Sequence, residues 1–135
     1  MGQQQLLLIV LGVIIVGIAI VVGINLFNAN AISSNRDAII SDLNNLGANA
    51  EQYYLKPTSM GGGGNHFTDG TNAWAIPTQL VNTANGTYKA NVTDTLITIT
   101  GTSVTQLKGN DGTTPVKAVL KVTPTSMTID NTQTN

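Results

Sequence analysis

Between Leu6 and Phe27 the chain reads LLLIVLGVIIVGIAIVVGINLF, apolar throughout apart from its glycines and Asn25. At 1.5 Å per residue this stretch makes a helix of roughly 33 Å, matching the ~30 Å hydrocarbon core of a bilayer. No amphipathic face divides it, so lipid or apolar protein has to surround its whole circumference. Beyond Phe27 the pattern becomes one-sided. Ile32, Ile39, Leu43, Leu46, Ala50 and Tyr53 recur at steps of three, four or seven, while Asn35, Asp42, Asn45, Asn49 and Gln52 take the other faces. No proline appears before Pro57. A residue preceding proline is pushed out of helical geometry, which makes Lys56 the expected limit. The two patterns together predict one helix of about 50 residues, roughly 75 Å long.

The stretch from Pro57 to Gly86 is rich in breakers: Gly61 to Gly64, then Asp69-Gly70 and Asn85-Gly86. The four consecutive glycines read as a flexible linker rather than a phosphate-cradling loop, since no strand precedes them and no helix follows. Ile76, Leu80 and Val81 around Pro77 suggest a short helical turn. From Thr87 the period becomes two. Tyr88, Ala90 and Val92 alternate with Lys89 and Asn91; LITIT covers Leu96 to Thr100; Val116, Ala118, Leu120 and Val122 alternate with Lys117 and Lys121; Met127 and Ile129 close the series. With Thr93-Asp94, Gly101, Gly109 to Gly112 and Pro124 as turn residues, four or five short antiparallel strands with one apolar face are expected. The one-sided half of the long helix has the length to cover that face. The predicted fold class is therefore α+β: a long N-terminal helix, apolar then amphipathic, packed on a small C-terminal antiparallel sheet.

Charge and chemistry narrow the picture further. The chain has 135 residues, of which 10% are charged, against ~25% in an ordinary soluble domain. Its net charge of -1 offers no basic surplus for a phosphate backbone, so nucleic acid is not an evident partner. Cysteine is absent, which removes disulfides, thiolate metal sites and cysteine nucleophiles. His66 is the one histidine. With Asp69 it makes too few ligands for a metal and reads as a solvated loop residue. Asp111, in Asn-Asp-Gly, reads as a hairpin turn rather than a calcium loop. Tyr53, Tyr54, Phe67, Trp74 and Tyr88 are assigned to packing. No nucleophile–base pair or metal cluster emerges; the expectation is a non-enzymatic protein without a cofactor. Asn85-Gly86-Thr87 and Asn91-Val92-Thr93 match the N-glycosylation sequon, making Asn85 and Asn91 candidate acceptors. From Met1 to Asn35 no side chain is ionisable. A signal anchor is oriented by flanking Lys or Arg, and here there is none.

An uncharged apolar N-terminal helix continuing as an amphipathic stem, followed by a loop and a small antiparallel sheet, resembles the type IV pilins and their pseudopilin relatives. The likeness lies in MGQQQLLLIVLGVIIVGIAI, similar to a mature pilin N-terminus, and in the stem ending AEQYYLKP (Ala50 to Pro57). The resemblance implies a basic leader removed by prepilin peptidase, an N-methylated Met1, an assembly ATPase, and a homopolymer formed through the N-terminal helices after their membrane-inserted stage. The chain carries no GxxxxGK[ST] motor motif of its own. Cleavage after Gly2 would instead make Gln3 the first residue and Leu7 the fifth, a poorer match.

Two positions depart from the family pattern. Gln5 stands where bacterial pilins usually carry Glu, so a neighbour's terminal amine meets an amide and no opposing charge. Either that amine reaches water or headgroups, or Gln3, Gln4 and Gln5 solvate it together. Val22 stands where pilins have a helix-breaking proline, so a helix closer to continuous is expected. The organisation that follows is a membrane or filament-core helix over 1–27, a stem over 28–56, a connecting loop over 57–86 and a β head over 87–135. Gly12, Gly17, Ala19 and Gly23 are the expected close-packing positions of the core helix. The implied role is a structural subunit of a cell-surface, extracellular pilus-like filament. The alternatives are a minor pilin, a secretion-system pseudopilin, or a bitopic membrane protein displaying the β-domain.

Overall fold

A computed structural model describes residues 2–104, 107–109 and 111–130. Helix α1 runs without a break from Gly2 to Leu55, 54 residues, or about 81 Å at 1.5 Å per residue. No proline lies within it, position 22 being Val22, so no interior N–H is lost from the i→i−4 ladder, and the expected continuity is observed. A 3₁₀ turn follows at Thr58–Met60, then a single helical turn α2 at Thr78–Val81 beside Pro77.

Among the described residues four strands form the sheet: β1 (Gly86–Val92), β2 (Ile97–Ser103), β3 (Lys117–Val122) and β4 (Met127–Ile129). They pair in chain order β1-β2-β3-β4, every neighbour antiparallel. Two turns are closed by threonine. The Thr93 hydroxyl accepts from Leu96 N and donates to Leu96 O; Thr123 does the same with Ser126. Such side-chain-to-backbone bonds replace ladder hydrogen bonds where the chain reverses.

The core lies between the sheet and the C-terminal half of α1. Ile39, Leu43, Leu46 and Ala50 are buried against Tyr88, Ile97, Ile99, Ala118, Leu120 and Val122, with Ile32 and Tyr53 partly covered at the two ends of the stripe. The predicted stripe is therefore the one the sheet covers. Two glycines set how closely the layers approach. A Cβ on Gly47 would sit 2.6 Å from Met127 Sδ and 2.8 Å from Leu120 Cδ2, so the helix backbone rests directly on β3 and β4. Gly101, expected to mark a turn, sits instead in the middle of β2, opposite Tyr88. A Cβ there would meet Ile39 Cγ2 at 2.6 Å and Tyr88 Cε1 at 2.9 Å; a close approach across the core, not a chain reversal, requires the glycine.

Candidate functional site

Among the described residues, nothing outside the helix covers the N-terminal half of α1. Every described residue from Gly2 to Asn30 is exposed, and the seventeen large apolar side chains between Leu6 and Phe27 are 53% to 80% accessible. The segment is long and apolar enough to cross a membrane. Around Gly12, Gly17 and Gly23 there is open space where a Cβ would lie. Each glycine costs a helix ~1 kcal/mol relative to alanine, and no contact among the described residues offsets that cost. At 100° per residue Gln5, Gly12, Ala19 and Gly23 fall within about 40° of one another, while Gly17 lies roughly 130° away. Three of the four expected packing positions thus share a face with Gln5; Gly17 does not. Continued along the helix, that face lies roughly opposite the one that meets the sheet. Met1 lies outside the described residues.

The second feature is the joint between stem and loop. Asp42, half-buried on α1, receives three donors on Oδ2: the Tyr88 hydroxyl at 2.6 Å, Asn85 Nδ2 at 2.9 Å and the Thr83 hydroxyl at 3.3 Å. Asn35 Nδ2 adds a bond to Asn85 O at 3.1 Å. A cavity of about 40 Å³, bordered by Asn45, Leu46 and Leu80, lies against the same carboxylate. Burial pushes the Tyr88 phenol well above its ordinary range, and its bond to Asp42 adds to the shift. In the sequence Asp42 reads only as a polar position flanking the stripe. Its place beside the buried stripe is the signal that could have marked it as an anchor.

This joint separates the two sequons. Asn85 is half-buried with its amide nitrogen committed to Asp42, whereas Asn91 is exposed on edge strand β1.

The glycine run is not a flexible linker. Gly63 N donates to Tyr53 O at 2.7 Å, Gly64 N to Lys56 O at 2.9 Å and Asn65 N to Tyr54 O at 2.8 Å, satisfying carbonyls at the end of α1. Gly62 and Gly63 are buried, and a Cβ on Gly63 would overlap the His66 carbonyl. The run caps the helix, and at Gly62 and Gly63 only a residue without a side chain fits. Just beyond it Phe67 and Trp74 are buried, Phe67 stacking 4.9 Å from Tyr54 at 45° and Trp74 donating to Asn49 Oδ1 at 3.3 Å.

His66 is bonded to Asp94 rather than to Asp69. Its Nδ1 is 2.7 Å from Asp94 Oδ1, tying the loop to the β1–β2 turn with both side chains largely exposed. Asp69 instead accepts from the backbone N–H groups of Thr71 and Asn72, which hold its carboxyl below the ordinary value. Asp111 accepts from the Thr114 hydroxyl and from the N–H groups of Thr113 and Thr114, and is pushed down to about 2. Both are turn-closing carboxylates. Among the described residues no group of three or more acidic or histidine side chains gathers as a metal site.

Fold and surface together define an α+β protein in which one helix does two jobs: half of it completes the core of the head, and half projects as a bare apolar arm. No protein-family model, curated protein or solved structure matches the chain.

Proposed function

We propose that this chain is the structural subunit of a type IV pilus-like extracellular filament, held in the membrane by residues 6–27 before assembly and polymerised through that helix afterwards. The observation that carries this reading is the apolar arm with glycines that the single chain does not use. Lipid accommodates such an arm, but gives no reason for residues that weaken it. A second helix does, because small residues let backbones approach and association within hydrocarbon depends on that close packing. Outside lipid, each buried Leu, Ile or Val avoids an exposure worth ~1.5–3 kcal/mol. Head-to-tail contacts that do not close on themselves bury every arm in an open helical array. The face shared by Gln5, Gly12, Ala19 and Gly23 supports the same reading, since it points away from the head and a neighbour can reach it unobstructed.

Mass spectrometry of filaments sheared from the native cell surface tests the proposal. This chain is expected as their dominant polypeptide, beginning at Met1 with a methylated amine. Its absence from sheared material, with all copies retained singly in the membrane, would favour the solitary membrane-anchored β-domain. Presence only as a trace component would favour a minor pilin or pseudopilin.

A further inference from the structure

The sheet face turned away from α1 carries a sparse cationic pattern that the filament reading does not use. Alternation places Lys89 on β1, Thr98, Thr100 and Thr102 on β2, and Lys117, Val119 and Lys121 on β3 on this side, with Val119 buried beneath its neighbours. The register sets Thr100 beside Lys89, Thr102 beside Lys117 and Thr98 beside Lys121. Strand spacings then put the three lysines at the corners of a triangle with sides of about 12–13 Å, with the β2 threonine hydroxyls and the buried Val119 between them. Asp130 joins Lys121 at 2.9 Å, while Lys89 and Lys117 have no ion-pair partner among the described residues. The other acidic side chains lie elsewhere, Asp37, Asp42 and Glu51 on α1 and Asp69, Asp94 and Asp111 in loops. A chain of net charge -1 therefore gathers half of its six basic residues on one face.

We infer that this face binds acidic polysaccharide. Lysines this sparse suit a polymer of lower charge density than DNA, which presents a charge every ~1.7 Å of its axis and rewards dense clusters. Threonine hydroxyls both donate to and accept from sugar hydroxyls, and the face offers no aromatic side chain for base stacking. The inference stands on the sheet alone. Polymerisation would only repeat the face along a fibre and raise avidity.

The test uses the dispersed full-length chain in detergent, with immobilised polygalacturonate, neutral dextran and duplex DNA as probes. The parent is expected to bind polygalacturonate at low salt, to release it as salt rises, and to ignore dextran. Lys89→Gln should bind about fivefold more weakly, and the Lys89→Gln/Lys117→Gln pair roughly thirtyfold more weakly. Lys56→Gln/Lys108→Gln removes the same charge from other surfaces and should bind like the parent. Circular dichroism checks each fold, and if the first pair unfolds, the exposed single variant Lys89→Gln decides. Failure of the parent to bind, equal losses in both pairs, an unaffected Lys89→Gln, or DNA held as tightly as polygalacturonate would each overturn the inference. None of these results bears on whether filaments form.

Discussion

Asp42 anchors the loop that precedes β1, and three donors depend on that one carboxylate oxygen. Replacing it with alanine leaves the Tyr88 hydroxyl and the Asn85 amide without their acceptor, so Asp42→Ala is expected to destabilise the head by about 2–3 kcal/mol. Thermal unfolding of the detergent-solubilised chain measures this. Tyr88 adds a pH dependence whose sign follows from its raised pKa. Above pH ~10 the unfolded chain releases the phenolic proton while the folded chain keeps it, so the folded state binds more protons there. The contribution is complete below that pH and declines as pH rises further. Tyr88→Phe should lower stability at neutral pH and flatten the alkaline decline; an equally steep decline in the variant would exclude Tyr88 as its source. The same joint governs the sequons. Trypsin does not cut the Lys56-Pro57 bond, so one peptide, Asp37 to Lys89, carries Asn85, and another, Ala90 to Lys108, carries Asn91. In protein from the native cell the Asn85 peptide is expected at its unmodified mass, with any N-linked sugar confined to the Asn91 peptide.

The two halves of α1 illustrate what a periodic pattern reveals and what it hides. Ile39, Leu43, Leu46 and Ala50 can be read directly, because burial on one side of a helix imposes a period that survives in sequence. The alternation in β1 to β3 is legible for the same reason. Gly101 and the run Gly61 to Gly64 mislead, because glycine looks alike whether it frees a chain or lets another atom come close. Only the third dimension tells a linker from a cap. The stem–loop joint is hidden too, since Asp42 and Asn85 are far apart in the chain and no local pattern records their contact. The distinction can be tested at the level of the element. Gly63→Ala should cost about 2–4 kcal/mol, because the cap has to open to admit the methyl group. Gly12→Ala should leave the head untouched and strengthen the isolated helix by up to ~1 kcal/mol. If the arm polymerises, Gly12→Leu should nevertheless reduce filament yield sharply, since the bulk falls where a neighbour approaches. Circular dichroism and filament counts from the same variants separate the two effects.

For the molecule as a whole, the decisive feature is that its largest apolar surface lies outside its core. The head buries a modest set of side chains, as a small domain must, while the arm leaves seventeen large ones uncovered. A chain built this way depends on its surroundings: in the proposed filament, a bilayer first and copies of itself afterwards. The most direct test is cryo-electron microscopy of filaments sheared from the native cell, at a resolution that shows side chains. A polymerising arm predicts density for this sequence, with residues 6–27 of successive copies packed along the fibre axis, the Gln5, Gly12, Ala19 and Gly23 face against a neighbouring helix, and the four-stranded sheets outside. Filaments built of another polypeptide, with this chain left as single copies among lipids, would contradict it.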